Sequence, residues 1–171
     1  LINGASKSYA MTGWRIGFAA ASTEIINAMN KLQSHETSNA TTISQYAALN
    51  AYKSEINAMN YLVKEFEKRR DLFYSELKKI SKIDLFLSDG AFYLFPNVSK
   101  FFNTTDGKFI IKNSTDFCEY LLETAKVAIV PGVAFGIEGY VRIAYTVDQE
   151  TIKKAVELIQ TALLNLYPIE N

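Results

Sequence analysis

The first apolar segments of the chain are nearly continuous rather than periodic. Leu1–Asn3 and Trp14–Ala21 are apolar apart from Asn3 and Arg15, and a short apolar run of this kind predicts a buried strand. The small and polar residues between them, Gly4–Gly13, predict a loop. Arg15 therefore falls inside a predicted buried strand, where an unpaired charge is costly.

A helical period follows and continues for most of the next sixty residues. Ile25, Ile26, Met29 and Leu32 repeat at helical spacing behind Ser22, which predicts a helix capped by Ser22 with its apolar stripe in the core. The polar segment Ser34–Thr42 predicts a loop, and another helix starts at Ile43.

The longest periodic segment predicts a single helix over 54–80, capped by Ser54 and uninterrupted by Gly or Pro. A helix of about 26 residues would be ~39 Å long. Such a length exceeds what a small domain needs, so this helix is predicted to connect two lobes.

After Lys82 the pattern alternates between strand and helix signals, which indicates an α/β or α+β fold. The predicted elements are strands at Ile83–Leu87 and Ala91–Phe95, a loop at Lys100–Asn113, a helix capped by Ser114 or Thr115, strands at Val127–Val130 and Tyr140–Tyr145, and a last amphipathic helix capped by Asp148.

Composition narrows the class of protein. Of 171 residues, 49% are hydrophobic and 18 basic side chains balance 18 acidic ones, which argues against disorder and gives no basic excess for nucleic acid or an anionic membrane surface. No apolar run reaches the ~20 residues of a membrane span. Cys118 and His35 are single, so an internal disulfide and multi-histidine or multi-cysteine metal sites are excluded. A lone cysteine fits a reducing, cytoplasmic setting.

The start of the chain, Leu1-Ile2-Asn3-Gly4, has neither an initiator Met nor a signal-peptide pattern. It begins within an apolar stretch that predicts a strand, and a terminal strand needs neighbours. We therefore expect this chain to be a piece of a longer protein.

Lys7 and Arg15 are the first candidates for chemistry. Lys7 follows Gly4, Ala5 and Ser6, and these small residues would let a large ligand approach the backbone. An amine can react with an aldehyde while a guanidinium binds a phosphate, so the pair suggests an aldehyde–phosphate ligand. The alternatives are a solvated surface lysine and an arginine paired with a carboxylate.

The whole segment Gly4-Ala5-Ser6-Lys7-Ser8-Tyr9-Ala10-Met11-Thr12-Gly13-Trp14-Arg15-Ile16-Gly17 resembles the pyridoxal-phosphate attachment site of class I/II aminotransferases. Its Met11–Arg15 run is similar to the bacterial subgroup of aspartate aminotransferases. Gly4 departs from the family pattern, because many members have at that position a serine that binds the phosphate.

The resemblance continues downstream in family order. The segment Gln33–Thr41 resembles the loop that reaches toward the neighbouring subunit's active site, and Gly90–Tyr93 resembles the segment that enters a strand of the family's small domain. Val130-Pro131-Gly132, Phe135-Gly136 and Tyr140–Tyr145 resemble the stretch that carries the arginine for the substrate carboxylate, here Arg142. Alternation would place Tyr140, Arg142 and Ala144 on one face of that strand. Without the resemblance, Arg142 could equally be an edge-strand arginine with a solvated head.

The resemblance implies the C-terminal portion of a fold-type I pyridoxal-phosphate (PLP) transferase, a fold of the α/β class. Residues 1–53 would end the large cofactor domain, 54–80 would connect, and 81–171 would form an α+β small domain. Lys7 would be catalytic and hold PLP with Ser6 and Arg15, while Arg142 and Asn39 would bind substrate. The implied partners are an amino acid, aspartate, and a 2-oxo acid, 2-oxoglutarate, in a cytoplasmic homodimer without nucleic acid, membrane or metal.

Three alternatives stay open from the sequence. The family's acidic partner of the pyridine nitrogen, its ring-stacking aromatic residue and its glycine-rich phosphate turn would all precede Leu1, so the chain could be a non-catalytic fragment. The parent could also be a kynurenine-type aminotransferase or a C–S lyase, although Met11–Arg15 argues against a lyase.

His35 is interpreted as a solvent-facing loop residue or a subunit contact, and Cys118 as a packed helix residue.

Overall fold

The computed structural model describes residues 1–54, 57 and 59–169 of the chain. These residues belong to two units, Leu1–Leu62 and Val63–Asn171. In chain order the first unit contains β1 (Ile2–Gly4), the single-turn α1 (Ala5–Ser8), β2 (Gly17–Ala19), α2 (Thr23–Glu36) and α3 (Thr42–Lys53).

The two strands of the first unit pair closely because two glycines face each other. β1 and β2 are antiparallel, and Gly4 lies opposite Gly17. A Cβ added at Gly17 would lie 3.2 Å from the carbonyl oxygen of Asn3, and one at Gly4 would lie 3.3 Å from that of Ile16. These separations are tighter than ordinary Cβ contacts, so the pairing favours residues without a side chain.

The predicted loop 4–13 and the predicted strand Trp14–Ala21 are both wrong in part. Ala5–Ser8 forms a helical turn, in which Tyr9 N–H donates to the Ala5 carbonyl at 3.1 Å. Thr12–Trp14 forms a 3₁₀ turn, and Arg15 then adopts the left-handed conformation with φ 49°. This conformation turns the chain, and the strand is therefore confined to Gly17–Ala19.

The end of α2, the start of α3 and the cap of α2 each differ from the prediction. Helix α2 continues to Glu36, so Ser34 and His35 are helical rather than in a loop, and α3 already begins at Thr42. Ser22 occupies the N-cap position, but its hydroxyl makes no capping hydrogen bond.

The apolar stripe of α2 does not lie in a core. Its side chains Ile25, Met29 and Leu32 are 53%, 44% and 63% exposed. The buried apolar cluster of this unit consists of Ala5, Met11 and Ala48. Helical period identified the helix correctly but could not tell whether anything covers its apolar face.

The second unit and the helix leading into it contain the remaining elements. They are α4 (Asn60–Leu77), β3 (Tyr93–Leu94), β4 (Thr104–Thr105), β5 (Ile110–Ile111), α5 (Ser114–Ala125), β6 (Val130–Pro131), β7 (Val141–Ala144), α6 (Gln149–Leu164) and β8 (Tyr167–Pro168).

Two small antiparallel sheets and the helices enclose the main core. The strand orders are β3-β7-β6 and β5-β4-β8. The fully buried side chains include Leu77 of α4, Tyr120 of α5, Val141 of β7 and Ile159 of α6. Tyr120 Oη donates to the Ala162 carbonyl at 2.6 Å and so joins α5 to α6 within this core.

The last helix matches its prediction. Asp148 is its N-cap, and Thr151 N–H donates to Asp148 Oδ1 at 2.9 Å. The helix is amphipathic as predicted, and its apolar stripe, Ile152, Val156, Ile159 and Leu163, is buried. The cap and the amphipathic period are both local signals, which explains why the sequence was sufficient here.

The long helix predicted over 54–80 is shorter. Helix α4 has 18 residues, which corresponds to about 27 Å. Ser54 is the C-cap of α3 rather than the N-cap of α4. The prediction also covers positions 55, 56 and 58, which lie outside the described residues.

The predicted strands of the second unit are too long, and one of them is not a strand. Within Ile83–Leu87 only Asp84 pairs, as an isolated bridge to Asn97. Ala91–Phe95 is reduced to Tyr93–Leu94, and Val127–Val130 shifts to Val130–Pro131. Backbone pairing, rather than the extent of each apolar run, therefore fixed the ends of the strands.

The predicted loop 100–113 contains a hairpin. β4 and β5 pair antiparallel, and Asp106 turns the chain between them by accepting the N–H groups of Lys108 and Phe109. The cap of α5 is Asn113, whose Oδ1 accepts Asp116 N–H at 2.9 Å, rather than Ser114 or Thr115.

No helix among the described residues is both long and apolar enough to cross a membrane. Within the same residues, no three His, Cys, Asp or Glu side chains are grouped to hold a metal ion.

We predict that Leu77→Ala lowers the free energy of unfolding by about 2–5 kcal/mol, because Leu77 is fully buried and its truncation leaves a cavity. Leu164→Ala is the matched control, since Leu164 is 79% exposed and its loss should cost under about 0.5 kcal/mol. Urea denaturation measures both values. Equal effects of the two substitutions would contradict the position of the core.

Candidate active site

Lys7 lies on a short helical turn directly after the paired glycines. Helix α1 follows Gly4, which is extended, and its Ala5 is buried, while Lys7 itself is exposed. The Ser6 carbonyl accepts Met11 N–H at 3.0 Å, and Ser6 is half-buried. The turn is thus anchored by its neighbours and presents the Lys7 amine at the surface of the unit.

Arg15 is placed differently from its prediction. It is exposed on a left-handed turn rather than buried in a strand, so burial does not force it to have an anionic partner. Its Nη1 donates to the Thr12 carbonyl at 3.2 Å. Within residues 1–54, 57 and 59–169, no carboxylate lies within 4 Å of its guanidinium, and most of its donors therefore stay available to an anion.

Asn39 and Ala5 of the Lys7 turn line the same cavity of about 550 Å³ in the first unit. Ala5 and Ile16, the direct neighbours of Ser6 and Arg15, line it together with Asn39. The Asn39 side chain donates through Nδ2 to the Ala40 carbonyl at 2.8 Å, which fixes its amide at the cavity wall.

Three aromatic residues near this cavity were not expected from the sequence. The Tyr52 ring contacts Tyr9 and Phe18 edge to face, with centroids 5.2 and 5.3 Å apart. Phe18 and Tyr52 also line the cavity. Alternation along β2 could have directed attention to Phe18, but nothing local indicates that Tyr52 of α3 meets Tyr9.

Arg142 belongs to the second unit and to the central strand of its sheet. β7 lies between β3 and β6, with Arg142 opposite Val130, so the edge-strand alternative is wrong. The predicted alternation is confirmed, because Val141, Ile143 and Tyr145 are buried while Arg142 is half-buried. The strand thus holds the arginine stem and directs the head away from the core.

The partners of the Arg142 head are aromatic. Its Cζ lies 4.6 Å from the centroid of the Phe135 ring and 5.5 Å from that of Tyr93. No carboxylate of the described chain is within 4 Å of this guanidinium. A half-buried cation that lacks an anionic neighbour but lies over two rings is suited to bind a carboxylate brought by a ligand.

The turn that carries Phe135 is fixed at both ends. It starts at Gly132, where a Cβ would come within 2.5 Å of the Ile137 carbonyl oxygen, so no other residue fits without a backbone shift. At its far end Glu138 Oε1 accepts the N–H groups of Ser114 and Gly139, each at 2.7 Å.

Glu138 is a residue that sequence reasoning missed. The Ser114 side chain, with the N–H groups of Gly139 and Ser114, holds the pKa of the Glu138 carboxyl below its usual range. Ser114 is the first residue of α5, and a carboxylate there also faces the positive end of the helix dipole. Its position just before Gly139 gave no signal of this partner 24 residues away.

Two residues interpreted as having no chemical role remain so in the structure. His35 is exposed in the last turn of α2, not in a loop. Cys118 is buried in α5 as expected, and burial raises the pKa of its thiol to about 12, which keeps it an unreactive thiol.

The predicted site residues therefore form two groups. Ser6, Lys7, Arg15 and Asn39 belong to the first unit, and Arg142 belongs to the second. The first group offers the primary amine of Lys7, the hydroxyl of Ser6 and the guanidinium of Arg15. Of these, the Arg15 guanidinium has no carboxylate partner among the described residues. This donor set fits a cofactor that carries an aldehyde and a phosphate.

Comparison with known proteins gives consistent matches over nearly the whole chain. The sequence model described as "Aminotransferase class I and II" matches residues 1–159. A Rickettsia felis protein named "Probable aspartate/prephenate aminotransferase" is 47% identical over 163 residues, which cover 94% of this chain and 40% of that protein.

Solved structures agree with the sequence match. The aspartate aminotransferase from Rhizobium meliloti superposes with a TM-score of 0.93 at 41% identity, covering 97% of this chain and 42% of that one. An aromatic aminotransferase from Pyrococcus horikoshii gives 0.83 at 39% identity, covering 95% of this chain and 42% of its own. The chain thus spans about 40% of the length of the relatives it matches, and the expected mixture of helices and strands is confirmed as part of their fold.

We predict that Glu138→Gln lowers the melting temperature at pH 7, because an amide replaces the carboxylate that anchors the Phe135 turn. A carboxyl whose pKa is depressed by folding stabilises the fold above its unfolded pKa of about 4.3, and this contribution is lost as the pH falls through the folded pKa. The difference from wild type should therefore shrink as the pH falls below about 4.3. Glu119→Gln, at an exposed carboxylate on α5, controls for the loss of one negative charge. A difference that does not shrink as the pH is lowered below about 4.3 would contradict the prediction.

Proposed function

This chain belongs to the aminotransferase class I and II family, and on that premise we propose that the full-length protein transfers the amino group of aspartate to 2-oxoglutarate with the help of PLP. The observation that carries the proposal is the exposed Lys7 turn, followed by the Arg15 guanidinium that has no carboxylate partner among the described residues. Relatives of this chain are named aspartate aminotransferases, which supports aspartate as the amino donor.

The residues of the first unit would hold the cofactor. The Lys7 amine would bind the aldehyde carbon, Arg15 the phosphate through its outward N–H groups, and Ser6 would add a hydroxyl donor. When bound, PLP supplies the electron-withdrawing ring that makes the substrate's Cα–H bond acidic. The cavity lined by Ala5, Ile16 and Asn39 lies beside these groups, and Asn39 would bind substrate there.

Lys7 would also move the proton that transamination requires. The Lys7 Nζ would take the proton from the substrate's Cα and then give it up again, acting first as a base and then as an acid. An exposed position on a single helical turn gives the side chain the reach for both roles.

Arg142 would orient the substrate for that proton transfer. Its planar fork can donate two parallel hydrogen bonds to the α-carboxylate. Fixing the carboxylate fixes the direction of the Cα–H bond relative to the amine that removes the proton.

The organisation of the parent protein follows from the same family membership. We assign residues 1–53 to the end of the large domain, 54–80 to the connection and 81–171 to the small domain of a cytoplasmic homodimer. The boundary between the two units, at Leu62, falls inside the proposed connection and supports this assignment.

Prephenate is the second candidate for the 2-oxo acid that accepts the amino group. The Rickettsia felis relative is named for both aspartate and prephenate. Comparing kcat/KM for 2-oxoglutarate and prephenate, with aspartate as donor, decides between the two acceptors.

We predict that borohydride reduction of the full-length protein loaded with PLP attaches the pyridoxyl group to the peptide containing Lys7, because the amine binds the aldehyde carbon. Lys7→Ala should abolish turnover without lowering the melting temperature, since Lys7 is exposed. Lys31→Ala, an exposed lysine on α2, is the control and should keep full activity. Labelling at Lys31 or Lys53 would refute the assignment.

We predict that Arg142→Lys lowers kcat/KM by about 10- to 150-fold, because losing a charge-assisted hydrogen bond costs roughly 1.5–3 kcal/mol. The loss should be similar for every α-amino acid, since all share the α-carboxylate, and the cofactor's absorbance should not change. Arg15→Lys is the matched substitution and should instead raise the dissociation constant for PLP. If Arg142→Lys impaired only dicarboxylic substrates, the arginine would be binding the side chain, not the α-carboxylate.

A further inference from the structure

The setting of Arg142 differs from that of most half-buried arginines, which pair with a carboxylate. Here the guanidinium lies over the rings of Phe135, at 4.6 Å, and Tyr93, at 5.5 Å. Both distances, from Cζ to the ring centroid, lie within the roughly 6 Å range of a cation–π interaction.

A ring and a carboxylate use different parts of a guanidinium. The ring contacts the flat face, whereas the five N–H donors lie in the plane along its edge. Contact with Phe135 and Tyr93 therefore restrains the plane of the Arg142 head and leaves the edge donors for a ligand. A protein carboxylate would restrain the head equally well but would occupy that edge.

Phe135 is itself held in place from several sides. Its ring contacts Phe95 edge to face, with centroids 6.2 Å apart, and Phe95 stacks on Tyr140 at 5.3 Å. Gly132 and Glu138 fix the two ends of its turn. Phe135 nonetheless stays 48% exposed, so its turn is anchored without its ring being enclosed.

We propose that Phe135, assisted by Tyr93, is a positioning residue that presets the plane of the Arg142 guanidinium for bidentate binding of the substrate's α-carboxylate. The proposal rests on the function proposed above for Arg142. Phe135 does not touch the reacting atoms; it acts through the arginine.

The test compares three variants of the full-length protein loaded with PLP. Phe135→Leu keeps apolar bulk but removes the aromatic ring, whereas Phe135→Tyr keeps the ring. Phe86→Leu is the control, because it removes an aromatic side chain of the same unit that is 65% exposed. We expect Phe135→Leu to lower kcat/KM about 2- to 30-fold for every amino-acid substrate. The inhibition constant of a dicarboxylate such as maleate should rise by the same factor, while Phe135→Tyr and Phe86→Leu stay within 2-fold of wild type.

A double-mutant cycle separates positioning from general stability. In an Arg142→Gln background there is no cation to orient, so adding Phe135→Leu should change kcat/KM less than 2-fold. Tyr93→Leu, tested in the same way, gives a second route to the answer if Phe135→Leu lowers the melting temperature. A smaller loss is expected for it, because the Tyr93 ring is farther from Cζ.

The outcomes distinguish the two proposals. If Arg142→Gln leaves kcat/KM unchanged, the function proposed for Arg142 fails. If Arg142→Gln is harmful but Phe135→Leu behaves like Phe86→Leu, or costs the same in both backgrounds, only the positioning role is overturned.

Discussion

Both groups of candidate site residues lie next to places where two backbone segments approach each other closely at a glycine. In the first unit Gly4 and Gly17 face each other, and a Cβ on either would lie about as close to a carbonyl oxygen as packing allows. In the second unit a Cβ at Gly132 would lie within 2.5 Å of the Ile137 oxygen. The Lys7 turn begins directly after the first contact and the Phe135 turn directly at the second, so a residue without a side chain allows the close backbone approach beside each turn.

The two arginines illustrate two ways to keep a cation ready for an anion. Arg15 is exposed on a left-handed turn, where water solvates it at little cost and one donor is used by the Thr12 carbonyl. Arg142 is half-buried and is stabilised by ring faces. In each case the guanidinium has no carboxylate partner among the described residues, which leaves its charge for a ligand rather than for the fold.

The two units differ in how completely they bury apolar surface. Helices α5 and α6 close a core around residues such as Tyr120 and Ile159. Among the described residues of the first unit, the buried apolar cluster is Ala5, Met11 and Ala48, and the stripe of α2 is exposed. The hydrophobic effect scales with the apolar area removed from water, so most of the stability of the described chain resides in the second unit.

The sequence by itself determined the features that depend on neighbours along the chain. The amphipathic period and Asp148 cap of α6, the alternation of β7 and the Lys7-to-Arg15 segment were all predicted from residues within a few positions of one another. The exposed stripe of α2, the left-handed turn at Arg15, the Glu138 anchor and the rings over Arg142 were decided by tertiary structure. Tyr93 lies 49 positions before Arg142 and on the neighbouring strand β3. A pattern of period two or 3.6 reports which side of an element is apolar, but carries no information on which distant segment will pack against it.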